Sequence, residues 1–432
     1  MPGHLLRNDL RAHPPRAVTA EGVWITDTEG KRYLDGCSGA VVSNIGHGHP
    51  TVVQAIREQA GRLTFAHRSA FDTAALTDLA DRLCAFTGLD AAWFVGSGSE
   101  ATEAAIQLAV QFHRERGEPR RTQFVSFRRG YHGNTLGGLS LSGNARRDAV
   151  AELVHDFPAL PEPYAYRFQG GRTESEWVAD LVAGARRVLA ERAETLAAVV
   201  VEPVGGATMG ATVPPIRYLR AIRELCDKLG LLLVADEVMS GMGRCGTPLA
   251  IDQFGVRPDI AVVGKGLGAG YTPIAAALVD GRVHEALLAG SGRVLGGHTY
   301  AGNPLSARTA LAVLDVLEEE AVLERGARAA VRLRSGLQTI AARHPLVAET
   351  RGLGMLQAIE LDVDGSTPQG ARAQRLSAAA RERGLLLYPT TGGVNDALLV
   401  APPLTITDDE LDELLARLSD AVEALAATEG DR

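Results

Sequence analysis

Apolar positions through the middle of the chain fall into two alternating kinds of run. Short continuous stretches, Ala91–Val95 (AAWFV), Gln123–Phe127 (QFVSF), residues 198–201 (AVVV), residues 231–235 (LLLVA) and Ile260–Val263 (IAVV), carry the β-branched and aromatic residues that suit buried strands. Between them apolar residues recur three or four apart. From Ser99 onward, Ala101, Ala104, Ala105, Leu108, Ala109 and Phe112 share one helical face. A second helix opens at Pro215, follows Leu219, Ile222, Leu225, Cys226 and Leu229, and stops at Gly230. A strand that is apolar on both faces needs cover on both. The pattern therefore predicts an α/β fold, a mostly parallel sheet covered by helices.

The ends read differently. Residues 22–35 predict a hairpin turning at Glu29-Gly30. Beyond about residue 310 come long Ala/Leu/Arg helices, shorter strands at 355–361, 385–388 and 398–400, and an amphipathic helix from about Asp408. The expected organisation is one large α/β domain over residues 50–310 and a smaller α+β domain built from both termini, 1–49 and 311–432. No repeat or low-complexity linker interrupts it.

Composition sharpens this picture in a few places. A chain of 432 residues with 46% hydrophobic content can bury a large core. A net charge of −8 makes nucleic acid or an anionic membrane a poor partner. The opening MPGHLLRNDLRAHPPR has no apolar signal core, and no spanning-length apolar run follows, so a cytoplasmic location is expected. Cys37, Cys84, Cys226 and Cys245 form no CxxC pair and no metal-ligand spacing, so reduced thiols and no metal site are expected. The basic side is more telling. Only Lys31, Lys228 and Lys265 are lysines; every other basic residue besides histidine is arginine, which cannot condense with an aldehyde as a desolvated lysine can.

Lys265 lies in VVGKGLGAG, at the carboxyl end of the Ile260–Val263 strand, where ligands gather in open α/β sheets. Its flanking glycines allow close backbone approach. A surface lysine in a flexible loop would have the same local signature. Asp236, closing LLLVAD at the same predicted sheet edge, narrows the choice, because a buried carboxylate needs a cationic or donor partner and a protonated pyridine nitrogen is one. A metal-binding or P-loop acid is the competing use, but the chain has no G-x-x-x-x-G-K-[ST]; Gly266 follows Lys265. Ser97-Gly98-Ser99-Glu100 joins a strand to a helix start, whose free N–H groups suit a phosphate. Ser97 and Glu100 also fit a capping box, which explains the motif without a ligand. Tyr131-His132-Gly133 offers an aromatic that stacks on a flat cofactor, or a Tyr-His pair packed in a loop.

Taken together, these residues resemble the class III pyridoxal-phosphate-dependent aminotransferases, the ω- or ornithine-type group, over nearly the whole chain. The resemblance is densest in LLLVADEVMSGMGRCGTPLAIDQFGVRPDIAVVGKGLGAGY, where D-E-V, G-x-G-R, P-D and G-K-G-x-G stand in the family's order and spacing. LDGCSGAVVSNIGHGHP, GSGSEATEAAIQLA, YHGNTLG, VVVEPV, HTYAGNPLSA, RGLGM and APPLTIT add to it. It implies the fold type I architecture of pyridoxal-phosphate enzymes. Lys265 would hold the cofactor as a Schiff base and shuttle a proton, and Asp236 would pair with the ring nitrogen. Val238 would pack on one ring face and Tyr131 or His132 on the other, with Tyr131 favoured. Gly98 and Ser99 would bind the phosphate, and Glu202 would sit near the ring on the substrate side. Thr299 would reach the phosphate of a neighbouring subunit, which implies a homodimer with shared sites. Arg244 would be a positioning or structural residue, and Trp24, Tyr131 and residues 37–42 would wall the pocket.

The implied reaction is a ping-pong transfer of an amino group from a primary amine or ω-amino donor to a 2-oxo acid or aldehyde. Racemases or epimerases, aminomutases, decarboxylases and lyases share these motifs, as would a non-catalytic member. Two departures stand out. Many members carry an arginine before P-P-L that grips a substrate carboxylate; here residues 396–403 read DALLVAPP, with Leu399 at that place. Pyruvate-using relatives often carry one several residues earlier, where residues 390–395 read TTGGVN. Either Arg351 substitutes or the amine is unusual. Met239 follows D-E-V, where a Gln often meets the cofactor's phenol oxygen; a thioether is a weak acceptor.

Overall fold

Seven strands make the central sheet, in the spatial order Ala91–Val95, Ala275–Val279, Ile260–Val263, Leu232–Asp236, Leu196–Val201, Gln123–Phe127, Ala159–Leu160. The computed structural model describes residues 4–362, 368–390 and 392–430; Thr391, within the TTGGVN stretch, lies outside them. Six strands run the same way, and Ala275–Val279 is reversed between two of them. The inner strands are buried at every position, as their unbroken apolar runs predict. The reversed strand was not expected. Its sequence, AAALV, is mostly alanine, which has little strand preference, and it follows a glycine-rich loop.

Alternate strand residues feed two apolar layers. Val199, Leu233 and Ala261 join Tyr218, Leu219, Ile222 and Cys226 of the helix Ile216–Leu229. Val200, Val234 and Val262 join Ala101, Ala104, Leu108 and Ala109 of the helix Gly98–Glu115. Alanines on that helix let it sit close to the strands. Gly230, in a left-handed conformation, ends the first of these helices, where the sequence puts its stop.

Two smaller sheets flank the large one. The hairpin Trp24–Asp27 and Arg32–Asp35 pairs with Ala17–Glu21 on one side and Leu385–Leu386 on the other. The second sheet holds Val347–Leu353, Leu356–Leu361, Ala397–Val400 and Tyr388–Pro389. The single strand expected at 385–388 is thus two, one in each sheet. The N-terminal and C-terminal segments share a sheet because Leu385 pairs with Leu34, and Leu386 with Asp35. Among the described residues no helix is long and apolar enough to cross a membrane.

Arg244 binds these parts together. It is fully buried, and its Nη1 donates to the Pro402 carbonyl (2.6 Å) while Nη2 donates to Asn44 Oδ1 (2.8 Å) and Ser38 Oγ (3.1 Å). Ser38 in turn donates to the Ala401 carbonyl, and Asn44 to the Met242 carbonyl. Burial lowers the Arg244 pKa to about 10. One planar fork therefore joins three distant chain segments, a geometry lysine cannot reproduce. Arg244→Lys is expected to cost about 3 kcal/mol of stability, read from urea unfolding. A lysine variant with an unchanged unfolding midpoint would contradict this.

Candidate active site

The carboxyl ends of five strands meet at one edge of the large sheet. Residues after Val95, Phe127, Val201 and Val263, and the last residue of Leu232–Asp236, supply the groups there. Lys265 stands two residues past its strand with φ +41°, a left-handed conformation that costs a non-glycine residue energy and that its turn enforces.

Asp236 is held from behind. Its Oδ2 lies 2.8 Å from His132 Nδ1, and its Oδ1 accepts the Val238 N–H at 3.1 Å. His132 is buried, and its backbone N–H donates to Ser142 Oγ (2.9 Å). Burial opposes charge on this imidazole, but the hydrogen bond and the charge of Asp236 outweigh it, so the His132 pKa rises. His132 was one of two alternatives for a ring-stacking residue. Its Nδ1 is engaged with that carboxylate, while the Tyr131 ring lies in the same cavity wall with the Arg146 guanidinium 5.6 Å from its centre.

Glu202 links the neighbouring strand ends. Its Oε2 accepts the Tyr131 N–H (3.0 Å) and its Oε1 the Gly206 N–H (2.9 Å). Burial, with the nearby Asp236 charge added and His132 opposing, raises its pKa.

The helix Gly98–Glu115 points its N-terminus into the same place. Ser97 Oγ accepts the Glu100 N–H (3.3 Å), but Glu100 turns back to the Gly96 N–H (2.6 Å), not to that of Ser97 as a full capping box would require. The N–H groups of Gly98 and Ser99 open the first turn, where no intrahelical acceptor exists. A Cβ on Gly98 would lie 2.9 Å from the Val238 side chain. Gly133, at φ +110°, comes so close to Ser99 that a Cβ would lie 2.8 Å from its hydroxyl. Ser99 Oγ accepts the Asn134 N–H (3.0 Å), which pins the Tyr131 loop to the helix start.

These groups surround a cavity of about 170 Å³ walled by Lys265, Asp236, Val238, Tyr131, Gly98 and Ser99, together with His132 and Glu202. Ser97, Thr102, Gly133, Ala207 and Met239 complete the wall. Ala207 and Thr102 went unread in the sequence; the only signal for Ala207 is its place just after VVVEPV. A second hollow of about 280 Å³ meets Lys265 from the side of Val42, Tyr271 and Ile274. A larger groove, about 770 Å³, lies elsewhere, beside Arg82 and Asp315, away from Lys265. Among the described residues the Lys265 amine has no hydrogen-bond partner. Burial lowers its pKa to about 8, against the pull of Asp236 and Glu202. An unpartnered amine, a braced carboxylate and open helix N–H groups fit the aldehyde, ring nitrogen and phosphate of pyridoxal phosphate.

Three expected site residues are not in this wall. The Trp24 indole donates to Glu410 (3.1 Å) and lies between Arg32 and Arg417. Thr299 is exposed in the single chain. Arg351 is spent elsewhere. Its Nε donates to the Gly210 carbonyl (2.7 Å), Nη1 to Glu349 (2.6 Å), and Nη2 to Glu360 (2.7 Å) and the Met209 carbonyl (3.3 Å). It fixes the loop that carries Ala207, and four of its five N–H donors are engaged within the protein. Leu399 is buried within the strand Ala397–Val400.

The family model described as aminotransferase class-III matches residues 9–422. An uncharacterized aminotransferase of Bacillus subtilis, YodT, is 38% identical, with 98% of each chain covered. Among solved structures, a PLP-bound amine transaminase from an uncultivated Pseudomonas species superposes with a TM-score of 0.91 at 34% identity, over 98% of both chains. An (S)-enantioselective omega-transaminase from Thermomicrobium roseum gives 0.91 at 35%, over 98% of this chain and 96% of that one.

The lowered Lys265 pKa predicts how the apoprotein takes up pyridoxal phosphate. The neutral amine is the reactive form and predominates above its pKa, so recombination should speed up as pH rises through about 8. Stopped-flow absorbance measures it. A rate that is flat through that pH, or that falls, contradicts the assignment.

Proposed function

The chain belongs to the class III aminotransferases, and from that premise we propose that it moves an amino group from a primary amine or ω-amino donor to a 2-oxo acid or aldehyde, with Lys265 and Asp236 as its catalytic residues. It is a pyridoxal-phosphate-dependent transaminase. The observation that carries the residue assignment is the meeting of an unpartnered amine and a braced carboxylate in one cavity.

When bound, pyridoxal phosphate supplies an electrophilic carbon that links to amines and a ring that takes up the electron pair of a broken C–H bond. The protein's own groups do the rest. Lys265 Nζ would hold the cofactor and, freed when a donor amine takes its place, would carry a proton away from the donor's reacting carbon. A pKa of about 8 suits a group that must both accept and release that proton near neutral pH. Asp236, steadied by His132, keeps positive charge on the ring nitrogen. Val238 and Tyr131 would hold the ring, and Glu202 fixes the Tyr131 backbone. Gly98 and Ser99 hold the phosphate.

Thr299 extends the proposal to a homodimer. It is exposed in one chain, and its role requires the active site of a second copy. The same reading divides the protomer into a large cofactor-binding unit, residues 50–310, and a smaller one from both termini.

Two experiments test this. Lys265→Ala is expected to lower steady-state transamination by at least about 10³-fold, with the folded protein still taking up cofactor noncovalently. A variant that keeps full multiple-turnover activity removes the assignment. Hybrid dimers of Lys265→Ala and Thr299→Ala protomers should regain activity that neither parent dimer has, because one of the two shared sites is then wild type in both residues. Hybrids no more active than the parents contradict a shared site.

A further inference from the structure

The loop after Glu202 is anchored from two distant parts of the chain. Thr208, fully buried, donates from Oγ1 to the Arg129 carbonyl (2.5 Å), and its own carbonyl accepts an N–H of Asn395 Nδ2 (2.8 Å). Arg129 leads into the Tyr131 loop that walls the Lys265 cavity. Asn395 comes from near the other end of the chain. It is buried, and the Thr390 hydroxyl donates to its Oδ1 (3.0 Å), which turns the amide nitrogen toward Thr208. Thr390 and Asn395 are the two ends of TTGGVN, a stretch without a cation. Their polar groups face each other and this loop.

Between these anchors lies part of the cavity wall. The Gly206 N–H donates to Glu202, and Ala207 lines the cavity with Met239 and Lys265. The packing leaves no room for the loop to settle elsewhere. A Cβ on Gly392 would overlap the Thr208 carbonyl, and one on Gly206 would lie 2.8 Å from Met239 Sδ. A buried carbonyl that loses its donor must move to find another. If Asn395 lets go of Thr208, the residue that shifts with it is its neighbour Ala207, and the wall facing Lys265 shifts too.

We propose that Asn395 is a positioning residue for the transamination: through Thr208 it fixes Ala207 and so sets the width of the Lys265 cavity, and with it the bulk of amine admitted. This rests on the transaminase reading above and adds a determinant of substrate size to that site.

The test uses two probes that differ in bulk and need no donor specificity, hydroxylamine and O-benzylhydroxylamine. Each is mixed with holoenzyme. The probe nitrogen replaces Lys265 Nζ on the cofactor carbon and frees the lysine amine, and the loss of long-wavelength absorbance gives the rate. Asn395→Ala and the isosteric Thr208→Val should raise the rate for the bulky probe relative to the small one about 5-fold or more. Thr390→Val, which only frees the Asn395 amide to turn, should do so by less. In the apoprotein, amide hydrogen exchange over residues 203–212 should quicken about 10-fold in Asn395→Ala and Thr208→Val. Equal changes for both probes would show a purely structural role and overturn the proposal, as would exchange unchanged from wild type. If Asn395→Ala does not fold, Thr208→Val and Thr390→Val decide. A wild-type holoenzyme that reacts with hydroxylamine while the variants keep its rate ratio removes the Asn395 assignment alone. A wild-type holoenzyme whose absorbance hydroxylamine leaves intact removes the Lys265 assignment beneath it.

Discussion

A single lysine amine stands half-buried beside two buried carboxylates at one sheet edge, and much of the structure exists to hold these three groups together. Such an amine is costly to hold. Desolvation has already pulled its pKa to about 8, and its backbone sits at a positive φ. The cost is met by rigidity around it. Asp236 is fixed by His132 and by the Val238 N–H, Glu202 by the N–H groups of Tyr131 and Gly206, and Ser99 by the Tyr131 loop. Three of these bonds, His132 to Asp236, Tyr131 to Glu202 and Asn134 to Ser99, tie one strand end to another. The cavity therefore behaves as a property of the whole sheet edge and not of any one loop.

Two arginines extend that rigidity to the flanking sheets by different routes. Arg244 has only carbonyl, hydroxyl and amide acceptors and serves as a neutral-sided clamp between three chain segments. Arg351 sits in a charged cluster with Glu349 and Glu360, and Glu360 is shared with Tyr164 and Arg167. Its carbonyl contacts set the loop that follows Glu202. Replacing either by a residue of equal charge keeps the electrostatics and loses the fork, so their value is directional.

The sheet was legible where its residues are apolar on both faces, since such runs admit few other placements. It was illegible at Ala275–Val279, where alanine carries no strand signal, and near residue 387, where one apolar run serves two sheets. The places of Asp236 at one strand end and of Lys265 just past another were readable, because local sequence identifies strand ends. The pairing of His132 with Asp236 was not, because it depends on how two distant loops meet. The surroundings of Arg351 were hidden for the same reason. An arginine near a site has the same sequence signature whether its donors are free or spent, and only its acceptors decide.

The pairing of Leu34 with Leu385 and of Asp35 with Leu386 has a consequence for biogenesis. The first hairpin leaves the ribosome early, yet the strand that covers its open side is made almost last. Through most of synthesis that hairpin presents unsatisfied N–H and C=O groups to whatever strand is nearby. Completing this sheet is a late, long-range closure, so nascent chains cut short before residue 385 should be the aggregation-prone species in the cell.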